Sequence, residues 1–144
     1  MPIPYITVVD PAATIALYEK ALGATVVNKM MGPDGSIMHA ELNINGDRFM
    51  LSGEWPGFSQ APSSRSPVNF MMYVDNADAA YNHAITAGMT SSSAPEDMFW
   101  GDRNAKVTDG HGYEWTFAHT FESVSAEEMQ KRANEFAASF SKND

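Results

Sequence analysis

The sequence predicts an α+β domain built from two βαβββ modules and a C-terminal helix. Three observations lead there. The stretch VDPAATIALYEKALGAT (9–25) has a counterpart, VDNADAAYNHAITAGMT (74–90), at a constant offset of 65. Each copy is followed by runs that alternate apolar and polar residues, the period of a strand. A stretch rich in Pro, Gly and Ser, EWPGFSQAPSSRSP (54–67), separates the two halves. The expected organisation is a first module over 1–53, a connector over 54–67, a second module over 68–121 and a terminal helix over 122–144, all in one structural domain.

Taken in chain order, Val9/Val74, Asp10/Asp75, Ala12/Ala77, Gly23/Gly88 and Thr25/Thr90 match between the copies. In each, a short strand precedes an Asp that opens a helix, and Gly ends it. Ile15, Tyr18 and Leu22 share one face of the first helix; Ala77, Tyr81, Ala84, Ile85 and Gly88 share one face of the second. MHAELN (38–43) lies over RNAKVT (103–108) at the same offset, and one extra residue sets GDRFMLS (46–52) over GYEWTFA (112–118). The turns between these strands carry Asn45-Gly46 and Gly110-His111-Gly112. One offset persisting through helix, strand and turn marks an internal repeat. At the end of the chain Ser125 and Glu128 have capping-box spacing. Met129, Ala133, Phe136 and Phe140 form an apolar stripe, so this helix is expected to dock on the body or on a second subunit.

Composition narrows the function. With 44% hydrophobic residues the chain has enough for a core. A formal charge of −9, from 18 acids against 9 basic residues, argues against nucleic acid and anionic membrane as partners. There is no cysteine, which removes disulfides, thiolate nucleophiles and Cys-based zinc sites. The start, MPIPYITVVDP, has no basic segment followed by a long apolar run, so a cytoplasmic location is expected. No GxSxG elbow, phosphate loop or dinucleotide fingerprint occurs.

The paired strand–helix–three-strand unit resembles, over residues 4–120, the vicinal oxygen chelate superfamily of glyoxalase I, bleomycin-resistance proteins and extradiol dioxygenases. PDGSIMHAEL (33–42), FMLSGEWP (49–56), EDMFWGDR (96–103) and VTDGHGYEW (107–115) are similar, more narrowly, to its PhnB-like branch, the 3-demethylubiquinone methyltransferase-type domain. The resemblance implies curved mixed sheets around a cavity, helices on the outside, and modules paired within a chain or across a homodimer.

Alternation then sorts the strands, since residues two apart share a face. Met38, Ala40, Leu42, Ile44, Phe49, Leu51, Val68, Phe70, Met72, Val74, Trp115 and Phe117 are expected beneath the helices. His39, Glu41, Met50, Ser52, Asn69, Met71, Tyr73, Glu114 and Thr116 are expected to face the cavity and bind the ligand. Met98, Phe99 and Trp100, beside Gly101, either wall that cavity or plug the end of the fold, with Arg103 reaching a carboxylate such as Asp97 or Asp109. His83 and His111 are expected on a helix flank and in a turn, and His119 in solvent at a strand end.

Metal-dependent members of the family place His, Glu or Gln at one position on the first and last strand of each half. Carried over, those positions are Pro4 (or Ile3), Met50, Asn69 and Thr116, which offer neither charge nor imidazole, so no metal and no cofactor are expected. A shifted site from His39, Glu41 and Glu114 is the alternative, set against ordinary hydrogen bonding of those side chains. The expected function is small-molecule binding of the glyoxalase/bleomycin-resistance type without the usual metal, in a homodimer. The alternative is an enzyme (lyase, isomerase or dioxygenase) acting on a small oxygenated substrate, with Glu41 or Glu114 the candidate catalytic base.

Overall fold

Among the described residues, two four-stranded mixed sheets and three helices form the structure, in agreement with the fold class expected. The computed structural model describes residues 1–141; positions 142–144 of the expected terminal helix lie outside the described residues. The first module runs β1 (Tyr5–Thr7), α1 (Pro11–Leu22), β2 (Thr25–Met31), β3 (Ile37–Ile44) and β4 (Asp47–Ser52). The second runs β5 (Asn69–Tyr73), α2 (Ala77–Ala87), β6 (Thr90–Asp97), β7 (Asp102–Thr108) and β8 (Glu114–Thr120). Both sheets have the same order, β1-β4-β3-β2 and β5-β8-β7-β6. In each, the first strand pairs in parallel with the last.

The Asp10 carboxylate accepts the Ala13 N–H and Pro11 follows it, a good start for α1 because proline has its φ preset and no N–H to leave unpaired. The second helix starts differently from the sequence expectation. Its N-cap is Asn76, not Asp75, and His119 Nδ1 accepts the Ala77 N–H at 2.8 Å instead of facing solvent. The reason is a drift in the repeat. Asp10 and Asn76 are 66 apart, whereas the terminating glycines, Gly23 and Gly88, are 65 apart, because α2 is one residue shorter than α1. The same drift makes Val8 the core residue that corresponds to Val74, and leaves Val9 73% exposed. Between β3 and β4, Asn45 and Gly46 have φ of 54° and 91°, the left-handed pair that a two-residue hairpin turn requires.

Ala40, Leu42, Ile44, Phe49 and Leu51 of the first sheet are buried, as are Val107, Trp115 and Phe117 of the second, with Phe70, Met72 and Val74 half-buried against them. Val68, expected among these, is exposed because β5 begins one residue later. Phe49 lies 5.1 Å from Phe70 and 5.5 Å from Trp115, and Tyr18 of α1 lies 5.3 Å from Trp115, ring centre to ring centre. Phe49, Phe70 and Trp115 stand on the helix-side faces of their sheets, Tyr18 reaches them from α1, and α1 packs on α2. The two modules therefore share one core through those faces, and the helices lie inside the junction instead of covering the outside. Among the hydrogen bonds that cross it, Tyr18 donates to Asp109 at 2.5 Å and Tyr113 donates to the Thr7 carbonyl at 2.9 Å. The opposite faces of both sheets are left open.

The last helix, α3 (Ala126–Ser141), starts with half a capping box. Ser125 Oγ accepts the Glu128 N–H, but the Glu128 carboxylate turns to Arg132. Arg132 also donates to the Phe99 carbonyl and to Glu122, and Phe136 packs on Phe99. The rest of the stripe is open, with Phe136 and Phe140 52% and 61% exposed. Among the described residues no helix is long and apolar enough to cross a membrane.

Candidate functional site

A groove of about 830 Å³ lies where the adjoining edges of the two modules meet. Residues 1–4, the β3–β4 turn with Asn45 and Arg48, and the strand β5 form its sides. Phe49, Phe70 and Trp115 give it an apolar floor. Asn69, Met71 and Tyr73 line it as well, and Asn45 Nδ2 donates weakly across it to the Tyr73 carbonyl at 3.5 Å.

The open face of the first sheet carries His39, Glu41, Met50 and Ser52. Ser52 pairs with His39 across the strands, and Met50 with Glu41. Glu41 is buried, but not as a free acid: Arg48 donates to it at 2.5 Å, and Asn28 at 3.4 Å. His39 Nδ1 shares a hydrogen bond of 3.1 Å with the Tyr5 hydroxyl.

The open face of the second sheet carries Asn69, Met71, Tyr73, Glu114 and Thr116. Thr116 donates to Asn69, which donates to Glu114; Arg65 and Ser92 also donate to Glu114. Burial alone would raise the Glu114 pKa. The hydrogen bonds from Ser92 and Asn69, with the charges of Arg65 and Lys106, outweigh it and hold the carboxyl below the ordinary glutamate range. Glu114 is therefore a weaker base than a free glutamate.

Further along this face lie two residues outside the ligand-binding set expected from the sequence. Asp102 is 5% exposed and accepts from the Tyr73 hydroxyl at 2.6 Å and the Thr120 hydroxyl at 2.9 Å. Asn104 is 4% exposed, and its amide oxygen has no hydrogen-bond partner. The signal was available: once Arg103, Ala105 and Val107 are set on the helix side, alternation puts Asp102 and Asn104 opposite. The buried indole N–H of Trp115 also lacks a hydrogen bond, yet it lies near enough to the Tyr18 oxygen to influence that phenol.

Met98, Phe99 and Trp100 form the β6–β7 turn, away from the groove. Phe99 stacks edge-on against Trp100 at 4.9 Å and meets α3 through Phe136, so the turn anchors the last helix. Gly101 makes this approach possible. Its φ is +98°, and a Cβ there would overlap the Glu122 carbonyl oxygen and touch Val124. Arg103 pairs with Asp97, as considered, and with Asp78 of α2; Asp109 instead accepts the Tyr18 hydroxyl. His83 is exposed on α2, against the Lys20 carbonyl.

His39 and Glu41 share one sheet and Glu114 stands on the other. Among the described residues no three His, Asp or Glu side chains gather where they would hold a metal ion. At the positions the resemblance implies, Asn69 and Thr116 hydrogen-bond to each other, Met50 offers only a thioether, and Pro4 offers no side-chain donor. This donor set does not suit a divalent ion.

Comparison with known proteins follows the fold. The model of the Glyoxalase/Bleomycin resistance protein/Dioxygenase superfamily matches residues 3–117. The chain is 37% identical over 133 residues to the uncharacterized protein Mb0911c of Mycobacterium bovis, a match covering 88% of each. It is similar to the crystal structure of the At5g48480 product of Arabidopsis thaliana, with TM-score 0.64 and 28% identity, over 81% of this chain and 93% of that one. Its fold is also that of TioX from Micromonospora sp. ML1, with TM-score 0.68 and 20% identity, over 82% and 96% of the two chains.

Proposed function

This chain belongs to the glyoxalase/bleomycin resistance protein/dioxygenase superfamily, and on that footing we propose that it is a small-molecule-binding protein that works without the superfamily's usual metal. The groove carries the reading. An apolar floor of Phe49, Phe70 and Trp115 with a few polar groups at its sides suits an organic molecule, held by burial and oriented by a few hydrogen bonds. Sequestration fits the chemistry better than turnover, because the candidate bases Glu41 and Glu114 are each tied to an arginine. Within the superfamily we assign the chain to the PhnB-like branch. Its acidic charge and lack of cysteine fit a cytoplasmic protein that keeps away from nucleic acid and anionic membranes.

We further propose that the working unit is a homodimer in which a second copy completes the site. Tyr5, Met71 and Tyr73 on the open sheet faces are 59%, 50% and 57% exposed, and the α3 stripe adds Phe136 and Phe140. A two-fold pairing is self-complementary and covers both surfaces at once.

The test is mass spectrometry of small molecules released from the native protein, with plasma emission spectrometry on the same sample. An organic ligand without a stoichiometric metal supports the reading. One tightly held divalent ion per chain overturns its metal-free part.

A further inference from the structure

Asp102 is an unusual carboxylate for its surroundings. It is almost fully buried, yet its side chain receives only two neutral hydroxyls, and among the described residues no lysine, arginine or histidine pairs with it. A buried charge without a counter-charge is costly unless something supplies one. Two residues further along the same strand, the buried oxygen of Asn104 waits for a donor.

The strand register shows what lies over them. Tyr73 of β5, Ala118 of β8 and Asn104 of β7 are neighbours across the sheet, and Asp102 is opposite Thr120. To place its hydroxyl on Asp102, the Tyr73 ring must pass over Ala118, whose methyl group leaves it room. Tyr73 is itself 57% exposed and lines the groove. It is therefore a cap hinged at its Cα. A change of its side-chain torsion would uncover a recess floored by Ala118 and walled by Asp102 and Asn104.

We propose that this recess is a subsite for a protonated amine. The inference rests on the reading of the groove as a small-molecule site and names the end of the ligand that enters the sheet. An ammonium group gives Asp102 the charge it lacks through one N–H and satisfies Asn104 Oδ1 through another. The Tyr73 ring, moved aside, presents its face to the cation, and the organic body of the ligand lies along Met71 toward the groove. A neutral hydroxyl satisfies one acceptor and leaves the charge uncompensated. An anion is repelled by Asp102 and by the net charge of the chain.

The experiment is amide-resolved NMR titration of the full chain at neutral pH with benzylammonium chloride, using benzyl alcohol and phenylacetate as neutral and anionic probes of the same shape. The expected result is saturable shifts at residues 71–73, 102–104 and 118 with the amine, with the alcohol weaker by roughly tenfold or more and phenylacetate inert. Asp102→Asn should weaken the amine by roughly tenfold or more and leave the alcohol unchanged. Tyr73→Phe, which removes a competing donor, should tighten the amine. If amine and alcohol bind alike, or Asp102→Asn binds the amine like the parent, the amine subsite is wrong, while shifts around the groove still uphold the broader reading. If no probe shifts the recess, the amine subsite is overturned, and the mass spectrometry of released ligand decides the broader reading on its own. If Asp102→Asn does not fold, Asn104→Ala takes its place: undiminished amine binding there, with an otherwise native spectrum, overturns the inference and leaves only a structural water for Asn104.

Discussion

Replacing Tyr18 with Phe isolates one buried bond between the modules. The ring is 0% exposed and stays in place against Trp115 and Phe49, so the change removes one oxygen and opens little space. Asp109 keeps its Oδ1 bonds from the His111 and Tyr113 N–H groups, but Oδ2 loses the only donor it has among the described residues. A hydrogen bond to a charged acceptor contributes about 1.5–3 kcal/mol, and the orphaned buried oxygen puts the expected cost at about 2–3 kcal/mol. In a domain of this length that is a fall of roughly 5–10 °C in Tm. Urea unfolding followed by tryptophan fluorescence reads it, provided the m-value is unchanged. Alkaline pH gives a second reading. Burial first, then the Asp109 charge, push the Tyr18 phenol well above its ordinary 10.0. A raised pKa means that this contribution is full below the unfolded pKa and declines as pH rises past about 10 toward the folded value. The parent should therefore lose stability above that pH more steeply than Tyr18→Phe. A variant within about 0.5 kcal/mol of the parent at pH 7, with the same alkaline slope, would refute the reasoning.

Phe117→Ala should cost about 3–5 kcal/mol, and Phe70→Ala clearly less, because Phe117 is fully buried and Phe70 only half; equal denaturant midpoints would contradict this packing. Gly101→Ala should cost about 2 kcal/mol or more and loosen α3, since both the positive φ and the Glu122 carbonyl exclude a methyl group; faster amide exchange in α3 checks it. Sedimentation equilibrium at micromolar protein should show a dimer, and Phe136→Glu with Phe140→Glu should dissociate it. A parent at monomer mass rejects the dimer, and a dimer indifferent to both changes removes α3 from the interface.

The repeat and the alternation carried most of the architecture, because both are local. Ala40, Leu42, Phe49, Leu51, Trp115 and Phe117 reach the core by parity alone. Where local rules competed, the reading slipped by one residue: Asp75 and Asn76 are both good caps, and only the length of α2 decides between them. His119 was misplaced because its partner, the Ala77 N–H, is 42 residues away. The Tyr18–Asp109 bond spans 91 residues and leaves no trace in any short window. The sorting of β3, β5 and β8 into a helix-side face and an opposite face was legible. What the open side chains do was not, because Glu41 and Glu114 are fixed by Arg48 and Arg65, partners that alternation does not choose. Nothing in the sequence around Met98, Phe99 and Trp100 shows that α3 returns to that turn, so their aromatic and apolar character alone does not separate a cavity wall from a helix anchor.

The shared core also sets a timetable for synthesis. When the first module leaves the ribosome, all of α1 and β1 to β4 are present, yet Phe49 and Tyr18 have no aromatic partners from the second half. Those partners, Phe70 and Trp115, lie about twenty and sixty-six residues downstream of Phe49. At ordinary elongation rates the exposed face therefore waits on the order of several seconds, long compared with the collapse of a chain of this size. The nascent half cannot settle before the far end of its own chain arrives. Until then it is a sticky intermediate, and a stalled or truncated copy should be a client for chaperones and proteases rather than a stable half-protein.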